Sequence, residues 1–336
     1  MSFVVIKQRP FLLSISDGPA SNNQMASLLV LCLCLQDDKL RVEGPPFLVF
    51  GETIELRAVG VVKDASIVWR LADGPGSAIE TRPAIDSSTR VVRGAESLSV
   101  TSVGKSEEEL LLSVTQVRRG VRLATAEYRL RIGPAIRVRA FCRLVEHGAG
   151  GTRRPDDLRD LEKRRELEAA VTRLLRPLGV EVTLEMGKPV AAPDAWFDKD
   201  GVFHPIGLKD GKRVNSATLN ELLRQDEPGG LNVYFLRDCN WVTIQEGFPR
   251  IKTEHNLVGI GLKDGDVVLD DAWDPPSLAH ELGHALGLDD LKTKAERPRL
   301  MYSVRRDRTG EAFTYGEMKD ARDRARMHLK SWMGRR

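Results

Sequence analysis

The sequence predicts a protein of two folded parts, an all-β sandwich followed by an α/β region with a mixed sheet. Three observations lead to this fold class. Between residues 41 and 133, short apolar stretches alternate with polar residues and are separated by Gly, Pro, Asp and Ser turns. After residue 134, strand patterns alternate with segments in which apolar residues recur every three or four positions. The length of 336 residues suffices for two hydrophobic cores.

We therefore divide the chain into an N-terminal segment (residues 1–40), a β-sandwich domain (residues 41–133) and an α/β domain (residues 134–336). The N-terminal segment contains an apolar stretch, Met25–Leu35, that has the length of a signal-peptide core but no basic region beside it. Two interpretations stay open for the segment. It is either a processed leader or a hairpin of buried strands, and the strand is slightly favoured. Secretion or the cell envelope is the favoured location, although the segment has no clear signal peptide.

The composition argues against three classes of protein. Lys and Arg number 51 and Asp and Glu number 48, a net charge of +3, which is too balanced for a nucleic-acid-binding surface. No apolar stretch approaches the roughly 20 residues of a transmembrane helix. Four cysteines are too few for a disulfide-stapled scaffold. Cys142 and Cys239 fall on or just after two strands of one domain, and they are either a disulfide or, the interpretation we favour, buried free thiols.

The sandwich domain shows about seven strands in roughly 90 residues, the strand density of an immunoglobulin-type fold. Ile54, Leu56 and Ala58 alternate with polar residues, and Trp69 ends a short apolar stretch typical of a core strand. The pattern resembles the bacterial immunoglobulin-like modules attached to surface and secreted enzymes. That resemblance implies a role in spacing, or in binding a surface or a partner, and the domain contains no catalytic constellation.

The α/β domain begins after Gly133-Pro134 with a strand, a helix and a second strand, at Ile136–Leu144, Pro155–Arg176 and Val180–Leu184. This order predicts parallel pairing through a right-handed crossover. Three further strands are predicted at Leu231–Leu236, Leu257–Leu262 and Asp266–Leu269. Helices are predicted at Ser216–Gln225, from about Pro276, and at Glu317–Trp332. Thr314 and Glu317 form a capping box at the start of the last helix.

Two acidic groups raise the question of calcium. Asp198-Lys199-Asp200-Gly201 looks like a fragment of a calcium-binding loop, but the terminal bidentate Glu is missing, so a solvated loop is the favoured interpretation. Asp270, Asp271 and Asp274 precede the helix near Pro276, and we favour a role as negative charge at a helix N-terminus over a calcium site.

The motif that carries chemistry is H-E-x-x-H, formed by His280, Glu281 and His284. Residues four apart lie on one face of a helix, so the two imidazoles can bind one ion, and Zn²⁺ suits neutral imidazole in tetrahedral geometry. Glu281 points about 100° round the helix, where it can reach a metal-bound water as a general base. The other histidines, His147, His204, His255 and His328, have no partner at ligand spacing and are predicted to be non-catalytic.

Gly287 and Asp290 extend the motif. Glycine can adopt a left-handed backbone that ends the helix and turns the chain back. Asp290 is then placed to supply the third zinc ligand, which leaves the fourth position for water, and Asp289 is a competing candidate. Met301 follows eleven residues after Asp290.

The stretch from His280 to Leu288 resembles the active-site helix of the metzincin zinc endopeptidases, and in particular of matrixins. The resemblance implies that Met301 belongs to the Met-turn beneath the metal. It implies that an extended protein or peptide substrate lies along an edge strand that includes Val258, Gly259 and Ile260, and that Tyr302, Ser303 and Val304 form the wall of a substrate pocket.

The chain departs from the metzincin pattern at two places. Asp290 stands where most members have His. Val267 and Val268 occupy the neighbourhood in which matrixins have a His for a structural zinc, which argues against that second ion. Two other functions stay open: a zinc hydrolase of a non-peptide substrate, and a catalytically silent binding or adhesion module. The presence of Glu281 argues against the second.

Overall fold

The structure is a computed structural model that describes residues 39–85, 91–148, 150–209, 212–245, 251–262, 265–302 and 312–333. Within these residues, an N-terminal β-sandwich is followed by a mixed α/β region with helices, which confirms the predicted fold class. The predicted leader or hairpin, apart from residues 39 and 40, lies outside the described residues.

The sandwich contains nine described strands: β1 (Arg41–Glu43), β2 (Phe47–Val49), β3 (Thr53–Val59), β4 (Ser66–Asp73), β5 (Ile79–Arg82), β6 (Val91–Arg93), β7 (Ser97–Ser102), β8 (Glu108–Arg118) and β9 (Val121–Gly133). One sheet has the order β1-β3-β7-β5 and the other the order β2-β9-β8-β4-β6. Neighbours are antiparallel except for β2 and β9, which are parallel. The sequence predicted about seven strands because three-residue strands such as β1 and β2 are too short to show a period of two.

The core of the sandwich follows from the alternation of side chains along each strand. In β7, Leu98 and Val100 are fully buried between the sheets, whereas the alternate residues Ser97, Ser99 and Thr101 are partly exposed. Trp69 on β4 is fully buried, as predicted, and its indole N–H donates a hydrogen bond to the carbonyl oxygen of Ala95 at 2.8 Å. A buried tryptophan therefore keeps its one polar group satisfied.

The strands of the C-terminal region are β10 (Ile136–Glu146), β11 (Val180–Met186), β12 (Val190–Ala191), β13 (Ile206–Lys209), β14 (Lys212–Asn215), β15 (Leu231–Phe235), β16 (Cys239–Gln245), β17 (Ile251–Leu257), β18 (Gly259–Gly261) and β19 (Val267–Leu269). The main sheet has the order β11-β10-β15-β19-β18. The pairs from β11 to β19 are parallel, as predicted for β10 and β11, and β18 pairs with β19 antiparallel at the edge of the sheet.

Five α-helices are described: α1 (Pro155–Arg159), α2 (Leu161–Leu175), α3 (Ala217–Leu223), α4 (Pro275–Ala285) and α5 (Tyr315–Met333). The predicted helix Pro155–Arg176 is in fact two, because Asp160 is extended and its side chain accepts the backbone N–H groups of Glu162 and Lys163 as an N-cap. The predicted capping box is confirmed, since Thr314 and Glu317 exchange hydrogen bonds at the start of α5. No described helix is long and apolar enough to cross a membrane.

Two expectations on side chains have clear outcomes. Cys142 and Cys239 are buried thiols that are not joined in a disulfide, which confirms the favoured interpretation. Both carboxylate oxygens of Asp198 are already in hydrogen bonds, with the N–H groups of Asp200 and Val202 and with the ring of His204, so this loop is closed by an Asx turn.

The domain boundary after Gly133 stays a prediction. Phe47 and Val49 of the sandwich strand β2 pack into the hydrophobic core of the α/β region, together with Leu178 and Ile136. The two parts therefore share apolar contacts across the predicted boundary.

Candidate metal centre

Helix α4 begins and ends with defined caps. Asp274 is the N-cap, because its carboxylate accepts the backbone N–H of Ser277 at 2.8 Å, and Pro275 follows in the first turn. This agrees with the favoured interpretation of the acidic residues before the helix. Asp271 instead accepts hydrogen bonds from Thr152 and from the backbone of Arg153.

The C-terminal end of α4 is a Schellman motif. Gly287 has a φ of 86°, its N–H donates to the carbonyl of His284 at 2.8 Å, and the N–H of Leu288 donates to the carbonyl of Gly283 at 2.9 Å. Only glycine adopts this left-handed conformation at no steric cost. The chain therefore turns back past the histidines, as the sequence predicted from Gly287.

The turn brings Asp290 to the histidines. Its Oδ1 lies 3.4 Å from Nε2 of His280 and 3.5 Å from Nε2 of His284. Tetrahedral Zn²⁺ with bonds of about 2.0–2.2 Å has its ligand atoms roughly 3.4 Å apart, which both separations from Oδ1 of Asp290 match. Both candidate carboxylates after Gly287 are exposed, and that of Asp290 has an oxygen near both imidazoles.

Hydrogen bonds to the backbone orient both imidazoles. Nδ1 of His280 lies 3.0 Å from the carbonyl oxygen of Leu300, and Nδ1 of His284 lies 2.8 Å from that of Leu288. A carbonyl only accepts, so each Nδ1 must carry the proton. In the neutral form the lone pair of each Nε2 is then available to an ion beside Asp290, which is the tautomer that metal-binding histidines use.

Glu281 lies beside this group. One ligand atom each from His280, Glu281 and His284 lies within 4.8 Å of the others, so these side chains could hold a metal ion. Glu281 is 9 % exposed as a residue, and its carboxylate accepts a hydrogen bond from the backbone N–H of Gly261 on the edge strand β18. Glu281 is therefore a buried residue whose carboxylate lies beside the two imidazoles.

The edge strand β18 lies directly against α4. A β-carbon built at Gly261 would lie 2.1 Å from the carbonyl oxygen of Glu281, and one built at Gly259 would lie 2.9 Å from Cγ of Glu281. In the pairing with β19, Val258 and Leu262 hydrogen-bond towards β19. In an antiparallel pair these positions alternate, so the backbone groups of Gly259 and Gly261 point away from β19. The N–H of Gly261 reaches Glu281 in that direction.

Met301 is fully buried beneath α4, and its backbone carbonyl accepts the N–H of Leu291 at 2.9 Å. Tyr302 is also buried and forms a β-bridge with Leu291. The segment with Met301 thus contacts both the helix and the chain that follows Asp290. The remaining residues of the predicted pocket wall, 303 and 304, lie outside the described residues.

The titration of the metal-free site reflects its crowding. Burial raises the pKa of Glu281 above its ordinary value, although both histidines oppose the shift. Burial would lower the pKa of His284, but the hydrogen bond that its ring donates to Asp290 and the charge of Glu281 outweigh burial and raise that pKa. Burial would raise the pKa of Asp290, yet its bonds to both histidines lower that pKa well below the usual range. Without an ion, Asp290 and a protonated His284 stabilise each other's charge.

Of the four histidines predicted to be non-catalytic, three have contacts elsewhere. His147 is paired with Asp194, His204 with Asp198, and His328 with the carbonyl oxygen of Ala285. The side chain of His255 lies outside the described residues. Sequence reasoning missed the hydrogen bond from Gly261 to Glu281. The alternation of glycines at 259 and 261 was the available signal for a close backbone approach.

Comparisons with known proteins add little. No family model matches the chain, and no curated protein matches it. Among solved structures, it is similar to a C. elegans member of the MSP family (11% identity, TM-score 0.20, covering 28% of this chain and 94% of that chain). It is also similar to a conjugative transposon lipoprotein from Bacteroides eggerthii (17% identity, TM-score 0.19, 28% and 95%) and to a PapD-like domain of human CEP192 (12% identity, TM-score 0.17, 38% and 96%). These scores are too low to support any inference about function.

Fold and site together define a two-part protein, a β-sandwich joined to an α/β region, in which His280, Glu281 and His284 could hold a metal ion.

Proposed function

We propose that the protein is a zinc-dependent endopeptidase that resembles the metzincins, with His280, His284 and Asp290 as zinc ligands and Glu281 as general base. The observation that carries the proposal is the spacing of the three donor atoms, 3.4 and 3.5 Å from the Oδ1 of Asp290 to the two Nε2 atoms. The fixed tautomers support it, because both lone pairs are directed into the same space.

A bound Zn²⁺ would supply Lewis-acid chemistry here, lowering the pKa of a coordinated water and polarising the scissile carbonyl. Glu281 takes the proton of the attacking water and then delivers it to the leaving amine. The N–H of Gly261 holds the Glu281 carboxylate while this proton is moved. Met301 packs beneath the helix and keeps the histidine face in place.

The edge strand favours a peptide over a non-peptide substrate. The outward backbone groups of Gly259 can pair with an extended peptide, which would add a strand to β18 beside Glu281. Val258 and Ile260 flank Gly259 in the chain and lie beside the bound peptide in this proposal. Tyr302, next to Met301, is buried and packs near the site. A small non-peptide substrate would make no use of such an edge.

The test is digestion of gelatin and casein by the full chain, with and without a chelator, together with zinc content per chain. Glu281→Gln should abolish digestion while retaining about one zinc per chain, because Glu281 is not a ligand in this proposal. Glu162→Gln, an exposed glutamate on α2, is the matched control and should digest as the wild type does. Digestion that survives both the chelator and Glu281→Gln rules the proposal out. Zinc binding without digestion would favour a metal-binding module.

A further inference from the structure

The last carbonyl of α4 has a partner outside its own helix. The Schellman motif and the C-cap use the carbonyls of Leu282, Gly283 and His284. The carbonyl of Ala285 comes next, and Nε2 of His328 on α5 lies 3.1 Å from its oxygen. Helix ends leave such carbonyls without intrahelical partners, and a donor that meets one fixes the end of the helix. His328 thus bonds the residue directly after His284.

His328 also contacts a second segment, at Gly265 between β18 and β19. A β-carbon built at Gly265 would lie 2.9 Å from Cε1 of His328, and Gly265 has a φ of 108° in the segment between β18 and β19. The same ring therefore lies between the end of α4 and the start of β19. Both of these elements are connected to the candidate site. Helix α4 is followed by the turn that positions Asp290, and β19 pairs with the edge strand β18, which packs on α4.

Helix α5 is itself held firmly. Arg322 is 1 % exposed, donates to the carbonyl oxygen of Gly179 at 2.9 Å and to Glu107 of the sandwich at 2.9 Å, and lies over the ring of Phe47 at 4.0 Å. Arg326 donates to the same Glu107 at 2.6 Å. A helix anchored in this way on the sandwich is a rigid support from which His328 can act.

We propose that His328 is a positioning residue for the candidate metal site. By donating to the Ala285 carbonyl it fixes the turn between His284 and Asp290, and so the separation of the donor atoms. The inference rests on the metal site of the proposed function. In this proposal α5 supports the metal site, and the β-sandwich supports α5 through Glu107. A β-sandwich that served only as a spacer would have no such role.

The test compares two amide variants of the full chain. Glutamine places its amide near the position of Nε2 of histidine, whereas asparagine is one methylene shorter and does not reach Ala285. We expect His328→Asn to weaken zinc affinity by about 10–100-fold, the usual effect of losing an outer partner of a metal ligand, and His328→Gln to stay within about threefold. Met327→Leu, at a 58 % exposed position on the same helix, is the control.

The readouts are competitive zinc titration and the visible absorption of the Co²⁺-substituted protein, which reports ligand geometry independently of activity. Altered Co²⁺ bands in His328→Asn, with wild-type bands in His328→Gln, support the proposal. Equal affinity and spectra in both variants, or equal losses in both, overturn it. If His328→Asn does not fold by circular dichroism, His328→Gln decides: wild-type affinity supports the proposal and a tenfold loss contradicts it.

The outcome separates this inference from the proposed function. Wild-type protein that takes up neither Zn²⁺ nor Co²⁺ would refute the metal site and the role of His328 with it. Wild-type protein that binds both ions, with His328→Asn indistinguishable from it, would refute only the role of His328.

Discussion

The sulfur of Met301 packs against α4 at Gly283, between the two histidines and directly before His284. A β-carbon built at position 283 would lie 2.4 Å from that sulfur and 3.1 Å from the terminal methyl group. Gly283 is in a regular helix, so its backbone conformation does not require glycine. The requirement is steric, and it comes from a residue 18 positions further along the chain.

The contact predicts that Gly283→Ala destabilises the protein even though alanine is the better helix former. Helix propensity alone would stabilise the folded state by about 1 kcal/mol. Displacing the fully buried Met301 side chain from its packed site should cost about 1–3 kcal/mol, which equals or exceeds that gain, and should weaken zinc binding. Urea unfolding of the metal-free protein measures the first effect and zinc titration the second.

The control for this substitution is Gly316→Ala. Gly316 lies in the first turn of α5, where the nearest atom to a new β-carbon would be Oγ1 of Thr314 at 3.9 Å. This variant should be as stable as the wild type or slightly more stable. If Gly283→Ala were as stable as Gly316→Ala, the packing of Met301 on α4 would be wrong.

The edge strand gives a second prediction. A β-carbon at position 261 would lie 2.1 Å from the carbonyl oxygen of Glu281 and 2.7 Å from Cβ of His284. Gly261→Ala must therefore move β18 away from α4 and break the hydrogen bond from position 261 to Glu281. We expect kcat/KM on a peptide to fall by at least about 100-fold, a loss of roughly 2.7 kcal/mol of transition-state stabilisation.

Gly148→Ala is the control for the strand, because no atom lies within 4 Å of the new β-carbon at that exposed site. Peptidase activity in Gly261→Ala that equals the activity of Gly148→Ala would contradict the close approach of β18 to the helix.

The choice between Asp290 and Asp289 as third ligand can be tested directly. Asp290→Asn keeps the size of the side chain but removes the charged oxygen that lies 3.4 Å from Nε2 of His280. We expect zinc affinity to fall by at least about 100-fold, more than for the loss of an outer partner. Asp289→Asn should change it by less than about threefold. Isothermal titration with Zn²⁺ distinguishes the two, and a larger loss in Asp289→Asn would reverse the assignment.

Sequence reasoning reached the motif and the end of its helix, because both depend on local rules. His280 and His284 are four apart, and Gly287 carries the left-handed angle that ends α4. The direction of Asp290 was not predictable to better than a choice of two residues. It depends on the exact backbone path after Gly287, and on the hydrogen bond between His284 and the carbonyl of Leu288.

What the sequence could not predict are contacts between distant segments. His328 was set aside because it has no partner at ligand spacing, and its hydrogen bond is to a carbonyl 43 positions away. The break at Asp160 was missed for a different reason. Leu158 and Leu161 continue the apolar spacing across it, so the periodicity hides an N-cap that only the backbone angles reveal.

A buried aspartate on the other face of the sheet, Asp266, lies against a second carboxylate and predicts how stability depends on pH. Asp266, 6 % exposed at the start of β19, faces Asp226 and accepts the side-chain amide of Asn232 at 3.4 Å. Tyr234 donates to Asp226, and the guanidinium of Arg143 lies 3.5 Å from the Tyr234 oxygen. Burial, together with the neighbouring charge of Asp226, raises the pKa of Asp266 to about 7.

The folded protein therefore holds a proton on Asp266 that the unfolded chain, with a pKa of about 3.9, releases. Between about pH 4 and pH 7 the folded state binds more protons, so stability falls as pH rises through this window and stays low above it. Asp266→Asn mimics the protonated group. With a chelator present, we expect Asp266→Asn to stabilise the protein at pH 8 by about 1–3 kcal/mol. The decline of the free energy of unfolding between about pH 5 and pH 8 should also become shallower. Urea unfolding at both pH values measures this, with the exposed Asp320→Asn as control. A variant that is less stable than the wild type at pH 8 would show that the Asp266 carboxylate is ionised and paired in the native state.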